Sequence, residues 1–228
     1  MLCHHPMSLI IFKLSKSWYS VEYHQYDDNQ FPSGDFSSLD TFPHYSYTSA
    51  GWESFVNERS DLIGSFDYIY SISAFEHIYD LKNCLLRILP FVRKGGCIYS
   101  YFTPIWSAPN GSHGFLPPQL KSLGDHAHLL FDFQELVCFL RSRFNFSALD
   151  AIDVSHNLYR SNQLNRYSYE DFMLIFESLR HKFSSVFCQP IGLSRFSDLY
   201  PLATLERIHR FYPSMIYSAA GFELILRV

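Results

Sequence analysis

Residues 66–104, FDYIYSISAFEHIYDLKNCLLRILPFVRKGGCIYSYFTP, decide the fold. Residues 66–73 are a run of aromatic and β-branched side chains, dense enough to predict a strand buried on both faces of a parallel sheet. From Leu81 the apolar spacing becomes helical. Leu81, Leu85, Leu86, Leu89 and Val92 fall on one side of a helix over 81–92, with Lys82, Asn83 and Arg87 opposite. Arg93-Lys94-Gly95-Gly96 supplies a stop, because cations suit the negative helix end and glycine tolerates the left-handed conformation that closes it. Residues 97–102 then read as a second strand. Two strands joined by such a helix form a crossover, and a crossover implies parallel pairing. Ligands of open sheets of this kind sit at the carboxyl ends of the strands, here residues 71–77 and 103–113.

The same residues carry a resemblance. FDYIYS, AFEHI, a leucine-rich helix, VRKGG and a strand ending in FTP, in that order, resemble the middle of class I S-adenosylmethionine-dependent methyltransferases of the type 11 kind. One local departure is Arg93-Lys94 where that family usually has Lys-Pro. The resemblance implies an α/β, Rossmann-like methyltransferase fold over residues 1–228 as one domain. Its sheet is mostly parallel, with an antiparallel C-terminal strand and an incomplete N-terminal part. The implied cofactor is S-adenosylmethionine and the implied partner a small-molecule substrate.

What precedes residue 66 departs further. The family opens with a strand running into a G-x-G-x-G turn, where any Cβ would hold a ligand off the backbone, and then places an acid for the ribose hydroxyls at the end of the next strand. Here the first glycine is Gly34 and no G-x-G occurs. Three explanations stay open: the chain is a piece of a longer protein or begins at a start codon set too far downstream, it is a divergent or inactive relative, or unrecognised sequence near 9–30 does the same work. Asp27 or Asp28 is a candidate for the ribose acid, against the plainer reading of a solvated turn.

Composition narrows the class. The 228 residues are 47% apolar and 18% charged, a globular balance, and 22 Phe and 16 Tyr predict a core and pocket lined by rings. A net charge of −4 gives no electrostatic case for nucleic acid or an anionic membrane. Cys3, Cys84, Cys97, Cys138 and Cys188 are scattered without a C-x-x-C pair, which predicts reduced thiols and a cytoplasmic protein. The apolar run 7–12 lacks a basic leader and a cleavage site, and no stretch reaches the length of a membrane span.

Elsewhere, strands are predicted at 9–14, 20–24, 44–48, 185–191 and 220–228, and helices at 52–59, 134–144, 168–183 and 202–212. Residues 1–42 are otherwise hard to place. Ser168 with Asp171 three residues on is close to a capping box. The resemblance implies that the last two strands pair antiparallel as a hairpin-like edge.

Candidate site residues come from the two loop regions. Ser71, Ser73, Ala74 and Phe75 lie where a strand meets its turn, and the small ones suit close approach of a cofactor. His77, in Glu76-His77, is a candidate proton acceptor beside them. Residues 105–131 form a long loop holding Trp106, His113, His126 and His128, which the resemblance assigns to the acceptor side. His113 is the second catalytic candidate; Trp106, His126 and His128 are candidates for substrate binding. A histidine pair at i and i+2 with a third from one loop also admits a metal-dependent hydrolase, but only Asp125 joins them, so no metal is assigned. Loop-stabilising hydrogen bonds are the plainer alternative, and Asp67, at a strand's amino end, is read as structural. The functions in play are therefore a small-molecule methyltransferase, a truncated or degenerate non-catalytic relative, and, more weakly, that hydrolase.

Overall fold

A computed structural model of the chain describes the backbone of residues 9–13, 18–22 and 45–48 and all of residues 52–228. The strands are β1 (Leu9–Lys13), β2 (Trp18–Glu22), β3 (Tyr45–Thr48), β4 (Phe66–Ile72), β5 (Val92–Phe102), β6 (Ser185–Ile191), β7 (Ser194–Arg195), β8 (Tyr217–Ser218) and β9 (Gly221–Arg227). The helices are α1 (Trp52–Glu58), α2 (Leu81–Ile88), α3 (Phe133–Phe144), α4 (Ala148–Tyr159), α5 (Tyr169–Leu179), α6 (Phe196–Leu199) and α7 (Leu202–Phe211). Two compact units result. The first takes in Met1–Phe102, Ile175–Gln189 and Phe222–Val228, and the second Thr103–Leu174 and Pro190–Gly221. No helix among the described residues is long and apolar enough to cross a membrane.

The first unit is built on a seven-stranded sheet of order β3-β2-β1-β4-β5-β9-β6. Doubly wound sheets take the order 3-2-1-4-5-6, and this one is that order with β9 inserted before β6. β4 and β5 pair in parallel, as the crossover through α2 requires, and β2 pairs in parallel with β3. β9 runs against β5. It also runs against β6: Ser184 N–H donates to the Arg227 carbonyl at one end of the pair, and Ala220 N–H to the Ile191 carbonyl at the other. β2, β3, β4, β5 and β6 thus share one sense, and the fold is α/β and Rossmann-like. The expected antiparallel pair at the edge is present, with β6 outermost and β9 next to β5. β1 is reversed, pairing antiparallel with both β2 and β4.

α2 begins at Asp80, whose carboxylate accepts the Asn83 N–H at 3.1 Å. Its buried stripe is Leu81, Cys84, Leu85 and Ile88. Leu86 is 37% exposed, so the predicted stripe was rotated by about one position. The helix also ends earlier than Val92. Pro90 lacks the N–H that another turn would need, and residues 89–91 tighten into a 3-10 turn before β5 starts at Val92. Arg93 does not cap a helix; its guanidinium pairs with Asp67. Phe55, Phe66 and Phe91 meet with ring centroids 5.9–6.4 Å apart beside α2. Each fully buried ring of this kind contributes about 1.5–3 kcal/mol.

Phe66 pairs with Val92 but Tyr68 with Cys97, so the ladder skips residues 93–96. Glycine is required inside that excursion. A Cβ on Gly96 would stand 2.6 Å from the Asp67 carbonyl oxygen and 2.7 Å from Val92 Cγ1. β4 is not buried on both faces as predicted: Ile69 and Ser71 are buried, whereas Tyr68 and Ile72 are exposed.

The second unit is helical. α3 is capped by Asp132, which accepts the Glu135 N–H at 2.7 Å, and closes on Asn145 in the left-handed conformation. α4, unpredicted, is capped by Ser147, whose hydroxyl accepts the Asp150 N–H at 3.1 Å. At the start of α5 the predicted capping box is present, with Ser168 N–H to Asp171 at 2.9 Å and Asp171 N–H to the Ser168 hydroxyl at 3.2 Å. Leu136, Leu140, Ala151, Leu158, Leu164, Ile208 and Met215 form the core with Trp106 and Leu129. β7 and β8 pair antiparallel. Glu170 holds the start of β8 by accepting the N–H groups of Ile216 and Tyr217, each at 2.8 Å.

Candidate functional site

Parallel pairing of β4 with β5 brings both carboxyl ends to one edge of the first unit, with Ser71 opposite Ser100 and Ile72 opposite Tyr101. The next residue, Ser73, has φ 48°, and its N–H donates to the Tyr101 carbonyl at 2.9 Å. A non-glycine residue in that region is strained and is held there by its surroundings. Those surroundings are Ala74 and Phe75, both fully buried, with Phe75 packed on Phe102 at 5.7 Å. A turn follows, closed by His77 N–H to the Ala74 carbonyl at 2.9 Å. Of the predicted cofactor residues, Ser73 alone keeps exposed surface; Ser71, Ala74 and Phe75 form the wall behind it. His77 is half-buried beside the buried Glu76. The Ser71 and Ser100 hydroxyls are buried and make no hydrogen bond among the described residues.

Register carries this edge further along the sheet. Ile72 aligns with Leu9, and Leu9 with Glu22, so the last residue of β2 ends at the same edge as Ser73. Glu22 is thus the residue on which β2 ends at this edge. Asp27 and Asp28 lie outside the described residues. At the other end Lys13 aligns with Tyr68, so the reversed β1 ends at the amino edge. Gly96 and Gly111 are the described glycines most tightly crowded by backbone, and it is the chain's own carbonyls that crowd them, at 2.6 and 2.5 Å. Among the described residues the edge therefore offers no glycine cradle of the kind that the amino-acid part of S-adenosylmethionine needs.

In the second unit the loop after β5 is tied down by side chains that reach carbonyls. His113, with φ 50°, donates from Nε2 to the Pro104 carbonyl at 2.6 Å. His128 is fully buried and donates from Nε2 to the Trp106 carbonyl at 2.8 Å. Burial holds its pKa down to about 4 against the opposing pull of that carbonyl, so the ring is neutral. Trp106 is also buried, edge-on to His128 at 4.7 Å and to Tyr159 at 6.2 Å. Tyr159 donates to the His128 carbonyl at 2.9 Å, and burial raises its phenol pKa. Arg166 lies over Trp106 at 5.9 Å and donates to the Leu158 and Leu164 carbonyls, each at 2.9 Å.

His126 differs from the other two histidines. Its ring is half-buried against Tyr200 at 4.2 Å, and burial lowers its pKa despite nearby Asp125. Among the described residues no three His, Cys, Asp or Glu side chains converge as metal ligands do, so the hydrolase alternative loses its basis.

No family model matches the chain, and no curated protein matches it. Solved structures do. YcgJ of Bacillus subtilis is 12% identical over 84% of this chain and 75% of its own, with a TM-score of 0.37. BH2331 of Bacillus halodurans C-125, provisionally described as a methyltransferase, is 11% identical over 84% and 74%, with a TM-score of 0.35.

Proposed function

We propose that the chain binds S-adenosylmethionine and directs its methyl group to a small-molecule acceptor in the cytoplasm. The observation that carries this reading is the β4–β5 edge, where parallel strands and the strained Ser73 turn meet in a sheet of doubly wound order. The resemblance of residues 66–104 supports it, and the scattered cysteines are in keeping with the compartment. When bound, the cofactor supplies a methyl carbon already activated on sulfonium, so positioning accounts for most of the rate. Ser73 is the residue for the ribose end, while Ser71, Ala74 and Phe75 fix the turn. His77 is the first candidate to take a proton from the acceptor, and His113 the second. Trp106, His126 and His128 belong to the acceptor side, His126 by contact and the buried pair by holding the loop.

Titration calorimetry of the purified chain with S-adenosylmethionine and S-adenosylhomocysteine tests this. Saturable micromolar binding is expected, weakened about tenfold or more in Ser73→Val, whose branched side chain resists the left-handed turn. No heat with either ligand overturns it.

A second reading is favoured by the direction of β1. A chain whose β1 runs against both neighbours and ends at the amino edge, with no G-x-G in the sequence, suits a non-catalytic relative. Adenosine binding as tight as that of S-adenosylmethionine, with no methyl transfer, would select it.

A further inference from the structure

The strands β4, β5 and β9 send alternate residues to opposite sides of the sheet. Ile69, Ser71, Ile98, Ser100, Leu224 and Leu226 point to one side, and all are buried. Register arranges the other side as three rows. Tyr68, Cys97 and Arg227 make the first row, Tyr70, Tyr99 and Ile225 the second, and Ile72, Tyr101 and Glu223 the third. Among the described residues this side is the more open one: Tyr68 is 43% exposed, Ile72 41% and Tyr101 38%, while Cys97 in the first row is buried. Arg227 is exposed as well, and Tyr70, Tyr99, Glu223 and Ile225 are half-buried. Crossover sheets normally have both faces covered. Tyrosine-rich apolar patches framed by charge are what protein interfaces use.

The charges say which occupant fits. Glu223 and Arg227 lie on one strand at opposite ends of the grid, about 13 Å apart at the rise of a strand. We propose that this face is where two copies of the chain meet, about a two-fold axis running along the middle row, Tyr70–Tyr99–Ile225. Such an axis reverses the strand direction between copies. The first row of one copy then faces the third row of the other, and Glu223 meets Arg227 twice in one isologous contact. Tyr68 faces Ile72 and Cys97 faces Tyr101 in the same arrangement. Tyr99 donates to Glu223 at 3.4 Å within each copy, which orients the carboxylate. Three strands of five residues span only about 14 by 17 Å, well below the ~800 Å² per partner of a standard interface, so the dimer is weak and depends on concentration.

Sedimentation velocity of the full chain across the micromolar range tests the proposal. A monomer–dimer equilibrium is expected. Glu223→Arg alone and Arg227→Glu alone should each weaken it about tenfold or more, because each places like charges opposite one another twice. The double variant, Glu223→Arg with Arg227→Glu, should restore it, which also rules out misfolding as the cause of the single losses. A chain that stays monomeric throughout overturns the proposal, whether the face is covered by another stretch of the chain or by a different protein. Association indifferent to both reversals overturns it too, since the copies then meet elsewhere.

Discussion

The two units satisfy their backbones in different ways. In the first, β4, β5 and β9 exchange ladder hydrogen bonds, and side chains are left to pack, as Phe75, Phe102 and Phe222 do at 5.6–5.7 Å. In the second, side chains are spent on carbonyls: His113 on Pro104, His128 on Trp106, Tyr159 on His128, Arg166 on Leu158 and Leu164, Arg207 on Leu130. A histidine-rich loop is thus ordered by its histidines. Polar residues in a loop without ladder partners are needed for the backbone first, and only the remainder is free for chemistry.

That contrast can be broken at four points. Phe102→Ala removes a fully buried ring between two others, and should cost about 3–5 kcal/mol in urea unfolding. Its neighbour Tyr101→Ala, on the open face, should cost well under that; equal losses would mean the open face is covered. Acid should act on the second unit. The His128 pKa lies at about 4 when folded against 6.5 for the free group, so the unfolded chain binds the extra proton. Stability is then full above about pH 6.5 and falls as pH drops toward 4, by up to about 3 kcal/mol. Urea midpoints at neutral and mildly acid pH measure this, and His128→Gln, which keeps a donor for Trp106, should flatten the slope. Gly96→Ala forces a Cβ against the Asp67 carbonyl and should cost roughly 1–3 kcal/mol, read from thermal melts. Tyr159→Phe leaves packing intact but strips the His128 carbonyl of its donor, a loss of about 0.5–1.5 kcal/mol.

Much of the first unit was legible in sequence because ladders follow the period-2 signal. Residues 185–191 were read as a strand with the bounds observed, and the crossover over 66–102 differed mainly where Pro90 ended the helix. The burial of β4 was misjudged because aromatic density does not tell a strand covered twice from one whose second face is tyrosine. α4 was missed although Ser147 and Asp150 form a cap, since its buried Ala151, Ser155 and Leu158 make a weak apolar stripe. The site was less legible. Nothing local marks Ser73 as left-handed or Glu22 as lying at the same edge, because both facts come from register with distant strands.

The position of β9 bears on how the molecule is made. It is the last of the seven strands to be synthesised, yet it lies between β5 and β6. Until residues 221–227 emerge, the facing flanks of β5 and β6 are both bare. A nascent chain must hold an apolar gap open over more than a hundred residues of synthesis, which is the circumstance in which wrong pairings and aggregation compete with folding.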